Sequence, residues 1–213
     1  MAKPLIQVAL DSLDYDQTLD LARAAAPYVD IIEIGTPCIK ANGLRLVRAM
    51  KAQHPDKILL VDLKTMDAGY YEAEPFFKAG ADITTVLGTA DLGTIKGVID
   101  VANAYGKEAQ VDLINVDNKP KRAQEAVKLG AHIIGIHTGI DQQLAGQTPF
   151  ADLSALVALG LDVKISVAGG IKQSTVQQVA KSGPSIIVIG GAITGAEDAS
   201  KAAGQIRDLI EAS

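Results

Sequence analysis

The residue types that could do chemistry in this chain are Asp11, Glu33, Asp62, Lys64, Asp67, Asp112 and His137. The tightest spacing is Asp62-x-Lys64-x-x-Asp67, in the stretch V-D-L-K-T-M-D-A-G, directly after the apolar run Ile58-Leu59-Leu60. In an extended chain Asp62 and Lys64 point to the same face. Carboxylates beside Lys64 favour its ammonium form, so it suits electrostatic stabilisation and not Schiff-base chemistry, which needs a neutral amine. Glu33 and Asp62 suit a hard cation. Magnesium takes oxygen ligands, commonly one or two carboxylates, and leaves its other positions to water and substrate. Zinc is disfavoured in a chain with three histidines and one cysteine. His137 is the candidate general base. An Asp and a Lys on one face are also what a solvated strand end looks like, so the elements that carry them decide between the two readings.

Those elements recur with a rhythm. β-Branched and apolar runs predict strands at Leu5–Leu10, Asp30–Ile34, Ile58–Leu63, Asp82–Leu87, Gln110–Ile114, His132–Ile136, Val163–Val167 and Ile186–Ile189. Between them lie helical spacings such as Leu19, Leu21, Ala22, Ala25 and Leu44, Val47, Met50. Alternating strands and helices imply parallel βαβ units. Eight units at roughly 25-residue spacing predict one (β/α)8 barrel over residues 1–213, with an open doubly wound sheet as the alternative. Turns such as K-A-G-A-D and K-L-G-A-H place glycine where a helix C-cap needs it.

Barrel enzymes work at the C-terminal ends of their strands. In strand order those ends carry Asp11; Glu33; Asp62, Lys64 and Asp67; Gly88-Thr89; Asp112 and Asn115; and His137-Thr138. Strands seven and eight end in A-G-G (168–170) and I-G-G (189–191). Asp30, Asp82 and His132 fall at strand starts, and His54 in the loop H-P-D. A concentration of ionisable groups at one rim argues for a site. Loops after strands seven and eight commonly bind phosphate through backbone N–H groups, and glycine lets an anion approach closely. Gly169, Gly170, Gly190 and Gly191 are therefore candidate phosphate binders, although tight strand–helix turns also favour glycine.

Composition bounds the rest. The chain has 213 residues, 48% hydrophobic and 4% aromatic, without tryptophan, so its core is aliphatic and large enough for one domain. A net charge of -5 gives no basic footprint for nucleic acid. Cys38, the single cysteine, excludes an internal disulfide. The opening M-A-K-P-L-I-Q-V-A-L-D is too short an apolar run for a signal peptide or membrane span, so a soluble cytoplasmic protein is expected.

The D-L-K-T-M-D segment resembles the Asp-x-Lys-x-x-Asp motif of the orotidine monophosphate decarboxylase suprafamily. The resemblance spans nearly the whole chain. Q-V-A-L-D (7–11), D-I-I-E-I-G-T-P (30–37) and A-D-I-T-T-V-L-G (81–88) are similar to its sugar-phosphate branch. V-D-L-I-N-V (111–116), I-H-T-G-I-D (136–141) and V-A-G-G-I-K (167–172) resemble those members that join formaldehyde to ribulose 5-phosphate with magnesium. Keto-gulonate phosphate decarboxylases of the same branch carry Glu in place of Asp112 and His-Arg-x-x-Arg where this chain reads His137-Thr138-Gly139-Ile140-Asp141. The resemblance therefore implies an aldolase, with the decarboxylase and a non-catalytic sugar-phosphate sensor as alternatives. It implies magnesium on Glu33 and Asp62, Lys64 facing an enediolate, and His137 as the base. Asp11 and Asp112 would join the polar cluster around substrate and lysine. It also implies a homodimer in which Asp67 completes the partner's site. From the residues alone, the aromatic segment Y-Y-E-A-E-P-F-F after Asp67 fits an interface and a helix packed on its own barrel equally.

Overall fold

A computed structural model of the chain describes residues 3–213. Its strands are β1 (Leu5–Leu10), β2 (Ile31–Ile34), β3 (Ile58–Thr65), β4 (Ile83–Leu87), β5 (Glu108–Asp112), β6 (Ile133–His137), β7 (Lys164–Ala168) and β8 (Ile186–Ile189). They pair in parallel in sequence order, and β8 closes onto β1, so the sheet is a barrel. The helices up to β5 are α1 (Tyr15–Ala25), α2 (Thr36–Gln53), α3 (Gly69–Ala79) and α4 (Leu92–Ala104). After β5 come α5 (Lys119–Lys128), α6 (Ile140–Leu144), α7 (Phe150–Ala158), α8 (Gln173–Lys181), α9 (Gly191–Thr194) and α10 (Ala199–Glu211). The expected single (β/α)8 barrel is what forms, with α6 and α9 as short additions at the β6 and β8 ends. None of the helices among the described residues is long and apolar enough to cross a membrane.

Local chemistry explains the elements. Asp14, Asp91, Asn118 and Asp198 cap the N-termini of α1, α4, α5 and α10 with side-chain oxygens, each accepting a first-turn N–H. Gly80 ends α3 in the left-handed region, φ 113°, as its place in K-A-G-A-D requires. Residues on the outward face of the strands, such as Val8, Ile32, Leu59 and Val61, pack against the helices in one continuous aliphatic core.

The inward residues stack in layers of four from alternate strands, as the pairing registers dictate. Near the N-terminal end lies an all-isoleucine layer of Ile31, Ile83, Ile133 and Ile186, all buried. Above it come Gln7, Leu60, Gln110 and Ser166, then Glu33, Thr85, Gly135 and Val188. The next layer holds Ala9, Asp62, Asp112 and Ala168. The interior thus changes from hydrocarbon to carboxylate within a few residues. At the opposite rim, Asp82 accepts from Lys51 at 2.7 Å, Lys107 at 2.5 Å and the Leu59 N–H at 2.9 Å, tying β3 to the start of β4.

The strands begin and end within one residue of expectation except at β3 and β5, and β5 starts two residues early, at Glu108. β5 ends at Asp112 and not Ile114, because the Asp112 carboxylate accepts the Ile114 N–H at 2.9 Å and Asn115 turns the chain at φ 56°. β3 runs two residues past Leu63, to Thr65, through an irregularity. Val61 pairs with Thr84 and Thr65 with Val86, so Asp62, Leu63 and Lys64 stand opposite Thr85 alone. Lys64 itself has φ 47°.

Candidate active site

The C-terminal mouth of the barrel opens into a cavity of about 480 Å³. Asp11, Glu33, Asp62, Lys64, Asp112 and His137 all line it, as do Gly169, Gly170, Gly190 and Gly191. Asp30, Asp82 and His132 do not; His132 bonds the Ala109 N–H and Asn103. Asn115 also stays outside the lining and accepts from Gln142 at 3.1 Å.

At the centre is a chain of alternating charge. The Asp62 Oδ1 accepts the Thr85 hydroxyl at 2.6 Å, and its Oδ2 accepts the Thr36 hydroxyl at 2.7 Å and the Lys64 ammonium. The ammonium lies 3.5 Å from Asp112 Oδ2, and that oxygen lies 2.9 Å from His137 Nδ1. Glu33 accepts from the Gln7 amide at 2.7 Å. Asp62 and Lys64 do meet, but strict alternation is not what brings them together. The left-handed turn at Lys64 swings its side chain inward beside Asp62.

Burial sets the protonation states. It pulls Lys64 downward, but Asp62 and Asp112 outweigh it and hold the lysine well above its ordinary value, so it is an ammonium. Burial pushes Asp112 up, yet the bond and charge of His137, with Lys64 and the Ile114 N–H, keep it below the usual carboxylate range. Burial likewise lowers His137, and the bond to Asp112 more than reverses that. With Nδ1 held by Asp112, Nε2 is the imidazole nitrogen left for proton transfer. Asp11 is raised by burial and by Asp62. Glu33 is raised furthest, to about 8, by burial and then by the facing Asp62 charge.

Glu33 bears directly on a metal. Asp62 has the Lys64 ammonium, but Glu33 is hydrogen-bonded only to the neutral Gln7 amide, so burial and the Asp62 charge both weigh on it, and a divalent cation between the two carboxylates would relieve them. Among the described residues no group of three or more His, Cys, Asp or Glu is arranged to hold a metal. A two-carboxylate site finished by water and substrate oxygens matches magnesium's habits and the cavity's open side. Glu33 and Asp62 fit.

The glycines divide by cause. At Gly169, φ 114°, an added Cβ would lie 2.4 Å from the Thr138 carbonyl oxygen, so packing already demands glycine there. At Gly191 an added Cβ would meet nothing within 4 Å, and at Gly190 nothing nearer than Ala9 at 3.8 Å. Packing leaves those two open toward the cavity, where an anion could reach their backbone.

Asp67 is the exception among the expected site residues. It is exposed, outside the cavity lining, and accepts the N–H of its neighbour Ala68 at 2.8 Å. Within its own chain it does not reach the site. Conversely, Gln7, Thr36, Thr85, Gln110, Ser166 and Lys172 surround the site although their types and spacing alone do not single them out. Alternation along Q-V-A-L-D places Gln7 on the face of Asp11, so a signal for it exists. Thr36, at the start of α2, and Thr85 become visible only when strands are set in register.

A family model described as Orotidine 5'-phosphate decarboxylase / HUMPS family matches residues 4–206, and the chain belongs to that family. The 3-hexulose-6-phosphate synthase of Methylomonas aminofaciens is 64% identical over 207 residues, covering 97% of this chain and 99% of that one. The protein of that name from Mycobacterium gastri is 48% identical over 207 residues, 96% and 99% of the two chains. The crystal structure of 3-hexulose-6-phosphate synthase from Salmonella typhimurium superposes with a TM-score of 0.95 at 38% identity, covering 98% and 99%. That of 3-keto-L-gulonate-6-phosphate decarboxylase from Vibrio cholerae gives 0.85 at 31% identity, covering 99% of each chain. With relatives this similar, the chain is a lyase-type enzyme, and aldol chemistry is the general reaction they support.

Proposed function

We propose that this enzyme joins formaldehyde to C1 of D-ribulose 5-phosphate, with magnesium, to give D-arabino-3-hexulose 6-phosphate, and runs the reverse cleavage. The observation that carries this reading is the run from Asp62 through Lys64 and Asp112 to His137, which places an ammonium and an oriented base on one cavity wall. The end of β6 adds support: Thr138 and Asp141 stand where a decarboxylase of this branch carries its two arginines, so no cation is offered there.

The steps balance within the site. His137 Nε2 takes the C1 proton, and the electron pair moves onto the C2 oxygen, giving an enediolate. Lys64 faces the developing negative charge without rearranging. Carbon C1 then attacks the formaldehyde carbon, and the proton on His137 passes to the formaldehyde oxygen, which becomes the new hydroxyl. Asp112 fixes the imidazole throughout. Glu33 and Asp62 would hold the magnesium ion, which supplies Lewis-acid stabilisation of the substrate oxygens. Gly190 and Gly191, with Gly169 and Gly170, would receive the phosphate, so that binding remote from C1 orients the reacting end.

A two-fold dimer belongs to the same reading. Asp67 lies outside its own cavity, and beside it Met66, Tyr70 and Tyr71 are 54%, 46% and 84% exposed. Such side chains favour an interface. A partner's cavity would receive Asp67. The deciding assay incubates the protein with ribulose 5-phosphate, formaldehyde and magnesium and follows formaldehyde loss. Keto-gulonate phosphate serves as the comparison substrate. Carbon dioxide from that substrate with no formaldehyde consumed would reverse the assignment in favour of the decarboxylase.

A further inference from the structure

Thr85 occupies an unusual junction. Three residues of β3, Asp62 to Lys64, stand opposite this one residue of β4. A regular ladder cannot pair all their backbone groups, and the left-handed turn at Lys64 leaves its N–H pointing to β4. The Thr85 hydroxyl takes up both strains. It accepts the Lys64 N–H at 2.9 Å and donates to Asp62 Oδ1 at 2.6 Å. Thr85 is 1% exposed and Asp62 6%, so the bond between them is buried, and that to the Lys64 N–H is partly so. A hydroxyl can do this because it carries one donor and two acceptor positions. Its neighbour Thr84 is a natural contrast, since that hydroxyl is buried without any partner.

We propose that Thr85 is a positioning residue, whose single hydroxyl holds Asp62 and Lys64 in one fixed mutual geometry. The proposal rests on the functional reading above for its kinetic arm, though not for its binding arm. Thr36 grips the other oxygen of Asp62 and the Asp62 carbonyl, at 2.7 Å and 2.9 Å, but makes no hydrogen bond to Lys64. Thr85 alone joins the two. Without its hydroxyl the Lys64 N–H has no acceptor, the left-handed turn loses its tie, and the ammonium can leave the wall it shares with Asp112. Asp62 would keep Thr36 and Lys64 yet lose the donor that sets the plane of its carboxylate. Outer partners of this kind usually govern metal affinity and rate by about 10- to 100-fold.

The test compares Thr85→Val, which keeps shape and removes the hydroxyl, with Thr85→Ser, which keeps the hydroxyl, and with Thr84→Val as a control for isosteric change in the same strand. Magnesium affinity is measured by calorimetry on the otherwise ligand-free protein, and kcat and KM by formaldehyde consumption. Thr85→Val should weaken magnesium binding about 10-fold and lower kcat about 100-fold, with KM for ribulose 5-phosphate changed less than about threefold. Thr85→Ser should recover both within a few-fold, and Thr84→Val should match the wild type. If Thr85→Val does not fold, Thr85→Ala carries the same measurements. Wild-type magnesium affinity in a folded Thr85→Val or Thr85→Ala protein overturns the proposal. So does a Thr85→Ser protein as impaired as the valine variant, or a Thr84→Val protein impaired equally. If the wild type consumes no formaldehyde, the functional reading fails while the calorimetric comparison still decides the role of Thr85.

Discussion

Without a metal ion, this protein should lose stability as the pH rises, and Glu33 is the reason. Its carboxyl titrates near 8 in the folded chain, against 4.5 when unfolded. Between those values the folded state holds a proton that the unfolded state has released, so stability is greatest at the acid end and is lost on the way up. Each pH unit inside the window is worth about 1.4 kcal/mol, which gives a ceiling of about 4 kcal/mol between pH 5 and pH 8. For a chain of this length roughly 2–4 °C accompanies each kcal/mol, so the melting midpoint of chelator-treated protein should drop with rising pH, by at most about 10–15 °C. If magnesium takes the proposed site, excess magnesium would bind the ionised carboxylates and erase most of that drop; at 100 times its dissociation constant it would add about 2.7 kcal/mol. Glu33→Gln cannot titrate and should show a much flatter profile without metal. His137, raised by Asp112, loses its stabilising charge over the upper part of the same range, but it does so equally in both proteins. The assay is therefore the difference between two melting series, wild type and Glu33→Gln, from pH 5 to 8 in chelator. Parallel series would refute the account of Glu33, and with it the electrostatic case for a cation there.

Three further outcomes can be measured. In deuterated water without formaldehyde, the C1 hydrogen of ribulose 5-phosphate should exchange, and His137→Asn should suppress this by at least ~100-fold while phosphate binding persists; unchanged exchange would move the base role to Asp112. Gly191→Leu should raise KM for the sugar phosphate by ~10-fold or more with little change in melting, whereas Gly169→Ala, which collides with Thr138, should cost about 1–3 kcal/mol of stability; equal melting losses in the two would undo the division between them. If the proposed dimer shares Asp67 in trans, mixing inactive Lys64→Ala and Asp67→Asn after dissociation should return about a quarter of wild-type activity, because random pairing would make about half the dimers hybrids with one intact site. No recovery at all would place Asp67 in its own chain's chemistry.

The barrel was legible because its signals are local: apolar runs, helical spacing and capping residues repeat with every unit. Alternation also put Asp11, Glu33 and Asp62 at one rim. What no single strand reveals is its register with the next. The layer that pairs Glu33 with Thr85 exists only once β2, β3 and β4 are aligned, so Thr85 and Thr36 were invisible as partners of Asp62. The turn at Lys64 was hidden for a related reason: an irregular stretch in β3 is a property of two strands, and V-D-L-K-T read alone looks like ordinary extended chain. At β5 the apolar Leu113 and Ile114 suggested a longer strand, and the Asp112 carboxylate cut it short by bonding to the backbone ahead of it. Asp67 marks the other boundary, since a residue that meets nothing of the site in its own chain cannot be assigned from that chain's contacts.

The isoleucine layer has a consequence for traffic. Ile31, Ile83, Ile133 and Ile186 stopper the barrel below the polar floor of Gln7, Gln110 and Ser166, so among the described residues the cavity is closed toward the strand starts. Whatever enters must leave past the same sill, where Ile140 and Gln143 stand. For the proposed reaction this imposes queueing. An aldehyde seated deeper than an arriving sugar phosphate would have to wait for the sugar to leave or react, while one arriving second would have to pass the sugar. Order of addition should therefore change how often a bound aldehyde escapes, even though neither reactant alters the shape of the room.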